Sequence, residues 1–151
     1  MENSSEIKVL ETNIEEALKV NKNIIEFTDV DFSREYFEER YENKEHMIIV
    51  AYLNDIPIGY IVGYDKFNDG ESFYVWMAGV DYKYRRKGAL TKLMQYQSDW
   101  AKKQGYSKLK IKTRNARREM LSFLVKNGFN FTEVEKKENI IENRINLEKI
   151  I

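Results

Sequence analysis

Val80-Asp81-Tyr82-Lys83-Tyr84-Arg85-Arg86-Lys87-Gly88-Ala89-Leu90-Thr91 is the stretch on which the fold turns. Ahead of it runs Ser72–Val80, apolar on both faces, with Phe73, Val75 and Met77 set against Tyr74, Trp76 and Ala78. A strand apolar on both sides belongs in the middle of a covered sheet. Behind it, Leu90, Leu93, Met94, Gln97 and Ala101 recur at helical spacing over residues 88–104, and Gly105 suits the C′ stop. The stretch therefore carries the chain from a buried strand, through a basic loop, into a helix. The first main-chain N–H groups of that helix have no intrahelical partner and sit at the positive end of its dipole, which makes an anion site. Each dipole contact adds only about 0.3–1 kcal/mol, so several must act together. Gly88 lets the backbone approach a phosphate closely, and Arg85, Arg86 and Lys87 bring charge to the same turn. A basic run alone is ordinarily a solvated loop. Its place between a core strand and an amphipathic helix is what points to phosphate. Neither G-x-x-x-x-G-K-[ST] nor G-x-G-x-x-G occurs, so neither a P-loop nucleotidase nor a dinucleotide oxidoreductase fits.

Downstream, Lys108–Arg114 alternates Leu109, Ile111 and Thr113 with Lys108, Lys110, Lys112 and Arg114, as a strand with one packed face does. Strand, helix and strand in succession demand a right-handed parallel crossover. Met120, Leu121, Leu124 and Val125 mark a second helix over residues 116–127, ended by Gly128, and two strands follow near 129–135 and 144–149. Upstream, residues 47–53 and 56–64 flank Asn54-Asp55 and read as a hairpin. Asp69-Gly70 turns into the doubly apolar strand. Residues 7–10 make a short first strand. Asn13 caps a helix through Ile14, Ala17, Leu18 and Ile25, and Ser33 caps a Glu-rich helix over 34–43. The order β-α-α-β-β-β-α-β-α-β-β gives an α+β fold, a mixed and mostly antiparallel central sheet flanked by helices.

The bulk numbers narrow the function. A chain of 151 residues, 42% hydrophobic and 33% charged, with no Gly/Ser-rich linker and no repeat, reads as one globular domain, 1–151. The formal net charge is zero, and the Glu-rich N-terminal half breaks any sustained basic face, so no nucleic-acid partner is expected. Cysteine is absent, which removes a disulfide framework, a thiolate nucleophile and a Cys-ligated zinc. The single histidine, His46, reads as a surface residue and cannot hold a metal alone, so no metal site is expected. Residues 1–9 lack the apolar core of a signal peptide, and no apolar run reaches the ~20 residues of a spanning helix. The expectation is a cytoplasmic protein with no membrane partner. A homodimer is compatible with the sequence.

With these residues in view, the chain resembles the GNAT superfamily of N-acetyltransferases. That family's coenzyme A loop is written Q/R-x-x-G-x-G/A. Arg85, Arg86, Lys87, Gly88, Ala89 and Leu90 occupy it here, matching at the first and fourth positions and departing at Leu90. Ile58-Gly59 is similar to the family's hydrophobic-glycine signature, and Lys126-Asn127-Gly128-Phe129 to its closing K-x-G-F. Asn115 stands where the family often has a cofactor-touching Asn. The resemblance implies acetyl-CoA as cofactor, held by Ala78, Gly79, Val80, Arg85, Arg86, Lys87, Gly88, Ala89, Leu90, Thr91 and Asn115. It also implies direct attack of an amine on the thioester, with Ser72–Val80 splaying away from Lys108–Arg114 to admit the pantetheine arm. Amides near 78–80 would polarise the carbonyl.

Many members of the family place an acidic Tyr in the helix before K-x-G-F, and here that position is Leu124. General acid help is typically worth about 10²–10⁴ in rate, but a thiol of pKa near ~8.5 leaves tolerably without it. Ser122 reads as a polar helix residue rather than a substitute. Candidate bases are Tyr74, Glu71 and Glu26, with core packing the alternative reading of Tyr74. Glu35, Glu38, Glu39 and Glu42 could attract a cationic amine or simply form a solvated face. Two functions stay open: an acetyltransferase acting on a small-molecule or peptide amine, and an acyl-CoA-binding sensor or interaction module without catalysis.

Overall fold

The computed structural model describes residues 6–27 and 33–151. Among these residues seven strands form one sheet: β1 (Ile7–Glu11), β2 (His46–Leu53), β3 (Ile56–Tyr64), β4 (Ser72–Val80), β5 (Lys108–Arg114), β6 (Asn130–Glu135) and β7 (Arg144–Ile150). Their spatial order is β1-β2-β3-β4-β5-β7-β6. Only β4 and β5 run parallel, across the crossover helix, and every other pair is antiparallel. The expected mixed, mostly antiparallel sheet is therefore observed. Among the described residues four helices flank it: α1 (Ile14–Asn21), α2 (Arg34–Tyr41), α3 (Ala89–Lys103) and α4 (Arg118–Lys126). Among the described residues no helix is long and apolar enough to cross a membrane.

Local chemistry sets most boundaries. Asn13 accepts the Glu16 N–H to start α1, and Ser33 accepts the Tyr36 N–H at 3.1 Å to start α2. Asn54 and Asp55 both take left-handed dihedrals (φ 51° and 67°), the geometry that turns a two-residue hairpin with the twist of its strands. Three boundaries differ from the sequence expectation. α1 stops at Asn21, and Ile25 opens a separate 3₁₀ turn, Ile25–Phe27, where it is 57% exposed. α2 stops at Tyr41 because Asn43 turns left-handed (φ 62°). α4 begins two residues late, because the Asn115 and Ala116 N–H groups bond the Asn143 and Ile141 carbonyls at 2.8 and 3.0 Å.

The sheet has a core on each face. α3 and α4 cover one built from residues such as Ile61, Phe73, Val75, Leu93, Leu109 and Leu124. α1 and α2 cover another that includes Val20, Phe37, Val50, Tyr60, Val62 and Tyr74. Two features of β4 then shape the centre. Its pairing with β5 ends at Val75↔Ile111. Beyond that point β4 continues along β3 to Gly59↔Val80, while β5 continues along β7 to Arg114↔Arg144. The strands part, and the sheet is split down its middle. In addition, Val75 pairs with Gly63 and Met77 with Val62, so Trp76 is an extra residue bulged out where the split begins. Bulges of this kind sharpen twist and re-aim side chains beside functional sites.

Candidate functional site

The split opens into a cleft of about 750 Å³, within the range of about 300–1,000 Å³ typical of small-molecule sites. The end of β4 supplies Ala78, Gly79 and Val80 to its wall, and the start of α3 supplies Gly88, Ala89, Leu90 and Thr91. Arg117, just before α4, and Glu119, Ser122, Phe123 and Lys126 on it face the cleft, and Ile24, Glu26 and Phe27 close it from the N-terminal side. A Cβ on Gly79 would lie 2.6 Å from Ile24 Cδ1, so the tip of that buried side chain would have to shift to admit one.

The loop leading to α3 is built to present main-chain donors. Asp81 accepts the Lys83 N–H at 3.0 Å and shapes the 3₁₀ turn Tyr82–Tyr84. Arg86 (φ 66°) and Gly88 (φ 86°) both turn left-handed, and no side chain caps the helix at Gly88. The ladder of α3 starts with the Lys92 N–H on the Gly88 carbonyl at 3.1 Å. Among the described residues, no main-chain N–H from 85 to 91 donates to a protein acceptor. A Cβ on Gly88 would meet nothing within 4 Å, so the space before these amides is open. Successive donors in such a curve form an anion-binding concavity.

The cations of the loop divide. The Arg85 guanidinium is turned inward. It donates to both Glu26 oxygens at 2.6 and 3.0 Å and to the Val80 carbonyl at 3.1 Å, with Glu119 at 3.4 Å. Its hydrogen bond to Glu26 holds that carboxyl below its usual range against the opposing effect of burial. Arg85 is thus a brace between the loop and the 3₁₀ turn at Ile25–Phe27. Arg86 stays 87% exposed, with Glu119 only at 3.5 Å. Arg117 lies 5.3 Å from the Phe27 ring centroid and donates to the Glu26 carbonyl at 3.4 Å.

Other sequence candidates lie elsewhere. Asn115 ends outside the cleft: its amide donates to the Ile140 carbonyl at 3.1 Å and its oxygen accepts from Arg118 at 2.8 Å. It borders a second depression with Val125 and Phe131. Tyr74 is buried on the α1/α2 face of β4, edge-on to Tyr64. Burial pushes its hydroxyl up to about 12, so it stays protonated at neutral pH. Glu71 sits just before β4, at the end away from the cleft, and pairs with Lys108 at 3.7 Å. Leu124 is fully buried beneath α4, so that position presents no acid, while Ser122 does face the cleft. His46 is exposed and stacks on Tyr41 at 4.3 Å. Phe27, Arg117 and Phe123 line the cleft without having been singled out in the sequence, and Lys126, noted there only as part of the K-x-G-F match, lines it too. The signal for the α4 set was present: 119, 122, 123 and 126 repeat at i, i+3, i+4 and i+7, a second stripe beside the apolar one.

Unengaged amides, an open glycine turn and a split with apolar walls fit a long ligand with a diphosphate at one end. They define a small α+β protein with a split sheet and an anion-holding helix start. The model of the acetyltransferase (GNAT) family matches residues 15–129, and the chain belongs to that family. No curated protein matches it in sequence. Solved structures share the fold at low identity. A GNAT family acetyltransferase from Elizabethkingia anophelis with acetyl-CoA bound is 22% identical, with a TM-score of 0.75 over 96% of this chain and 98% of that one. An IAA acetyltransferase from Bacillus cereus is 18% identical, with a TM-score of 0.77 over 97% and 100%. The PaiA N-acetyltransferase from Thermoplasma acidophilum, in complex with coenzyme A, is 18% identical, with a TM-score of 0.71 over 97% and 99%.

Proposed function

We propose that this protein moves the acetyl group of acetyl-CoA to a primary amine by direct attack within a ternary complex. The observation that carries the reading is the run of unengaged main-chain N–H groups at 85–91 opening onto the split between β4 and β5. Family membership and the acetyl-CoA bound in the Elizabethkingia structure support it. The amides of 86–91 would hold the diphosphate, with Arg86 and Lys87 adding charge. The edge of β4 that β5 abandons past Val75 carries main-chain groups that need partners, and the amides of a pantetheine arm would supply them. Bound acetyl-CoA supplies an activated thioester with a thiolate as leaving group.

The chain's own residues then orient and desolvate. Amides around Ala78 stand ready for a polarised carbonyl oxygen. The absence of cysteine fits direct attack by the amine, without a thioester acyl-enzyme. Leu124 gives no proton to the leaving group, so the thiolate departs on its own modest basicity. Tyr74 is held protonated and Glu26 is engaged by Arg85, so the proton of the amine passes to water. Buried Leu124 also favours a second reading, an acyl-CoA-binding module without turnover. Calorimetry with acetyl-CoA, paired with thiol release over an amine panel, separates the two. Binding with turnover supports transfer, binding without turnover on any amine supports the module, and loss of both removes the cofactor assignment.

A further inference from the structure

The sheet face opposite α3 and α4 carries a group of side chains that the cofactor cleft does not use. Trp76, bulged out where β4 leaves β5, has its ring 5.1 Å from Phe37 and 5.8 Å from both Tyr36 and Tyr64. Tyr64 meets Tyr74 at 5.7 Å, and Tyr74 meets Phe67 at 5.8 Å. These rings form a continuous wall whose middle, Phe37, Tyr64 and Tyr74, is buried, whose Trp76 is half-buried, and whose ends, Tyr36 and Phe67, are 39% and 41% exposed. Three cations lie over it. Arg40 stands 4.8 Å from the Trp76 centroid, Lys66 4.5 Å from Tyr74, and Lys110 4.6 Å from Phe67.

None of the three forms an ion pair among the described residues, whereas their neighbours Lys108 and Lys112 pair with Glu71 and Glu135. Two carboxylates act on the group from a distance, and both are occupied. Glu135, felt by Lys66, is held by Lys112 at 3.0 Å and Asn146 at 2.9 Å. Asp69, felt by Lys110, accepts the N–H groups of Glu71 and Ser72. Positive charge is left in excess over an apolar wall, and like charges brought together repel. An anion from outside would relieve that repulsion. The wall also adjoins the split: Trp76 lies two residues before Ala78 in the cleft, and Lys110 pairs with Tyr74 in register.

We propose that this face receives the acceptor, and that the acceptor is an amine bearing an anionic group on an apolar or aromatic body. The proposal rests on the transferase reading above and names its substrate class. It reverses the idea that the glutamates of α2 draw in a cationic amine. Glu35, Glu39 and Glu42 are exposed, Glu38 is held by Arg34, and α2 turns Phe37 and Arg40 to the wall. The charge also serves the chemistry. Cations near an amine favour its neutral form, which is the nucleophile, and no free carboxylate base is needed.

Three probes of matched shape test this: 4-(aminomethyl)benzoate, its benzamide, and the diamine p-xylylenediamine. Calorimetry on the protein alone and on its coenzyme A complex, with thiol release using acetyl-CoA, should rank carboxylate above amide above ammonium. At least ~10-fold should separate the extremes, and the gap should narrow as salt rises. Lys66→Gln with Lys110→Gln, at an exposed and a half-buried position outside the buried core, should compress the ranking to about twofold while acetyl-CoA affinity holds. A diamine bound as well as the carboxylate, a ranking that survives the double substitution, or acetyl-CoA binding with none of the three probes bound overturns the proposal. Failure to bind acetyl-CoA overturns the transferase reading instead, and the probe titrations on the protein alone still report the charge preference.

Discussion

Gly88 does two things at one position, and they can be separated. Its left-handed backbone (φ 86°) strains any L-residue by roughly 1–2 kcal/mol. The space where a Cβ would stand is open. Gly88→Ala should therefore lose about that much stability in urea denaturation and keep most of its acetyl-CoA affinity. Gly88→Asp puts a negative charge before the amides and should weaken binding by ~100-fold or more in calorimetry; unchanged affinity would remove the phosphate loop. Asp69 offers a test by pH. Its bonds from the Glu71 and Ser72 N–H groups hold its carboxyl down to about 2. A carboxyl depressed in the folded state contributes stability that is complete above its unfolded pKa. That contribution is lost as pH falls from ~4 toward 2. Unfolding free energy measured across that window should drop less steeply in Asp69→Ala than in the parent; equal slopes would show that the turn bonds matter little.

Among the elements, the 3₁₀ turn at Ile25–Phe27 and the loop before α3 are joined by Glu26 and Arg85, 59 residues apart in sequence. The pair is neither fully exposed nor fully buried, at 20% and 32% for the side chains of Arg85 and Glu26. Glu26→Ala and Arg85→Ala should each cost about 1–2 kcal/mol, between surface and buried pairs. The double variant should cost little more than either, as coupled residues do. Additive losses in urea titrations would show that the two act separately. This contact also marks what the sequence could not reveal. Strand and helix identities were legible because each depends on local periodicity: alternation in Lys108–Arg114, the stripe on α3, and left-handed Asn54 and Asp55. The amide-bearing loop was legible for the same reason, since residues 80–91 are contiguous. Arg85 was read as a hand for phosphate because nothing near it in sequence announces Glu26. Asn115 was read as facing the cofactor, and only the return of residues 139–143 from β7's side shows what its side chain bonds. The wall of rings under Arg40, Lys66 and Lys110 draws on four separate segments, and no spacing rule connects them.

For the whole molecule, a split sheet should respond to what fills the split. A ligand that binds only the folded state at 100 times its dissociation constant adds about 2.7 kcal/mol. For a chain of this length each kcal/mol raises the midpoint by about 2–4 °C. Acetyl-CoA at that excess should thus lift the melting temperature by roughly 5–10 °C in a thermal scan, and Gly88→Asp should abolish the lift. A flat response in the parent protein would deny that the cleft is a cofactor site. The strand order carries one further implication. β7 follows β6 in the chain yet lies between β5 and β6, and β6 pairs with β7 alone. During synthesis, then, a growing polypeptide that has not yet delivered Arg144–Ile150 holds β6 without a docking partner. It also leaves one edge of β5 bare, beside the apolar side chains of Leu109 and Ile111. Ribosome-stalled chains ending before Arg144 should be cut readily by protease across 108–135, and resistance should appear only once the last strand has emerged from the exit tunnel.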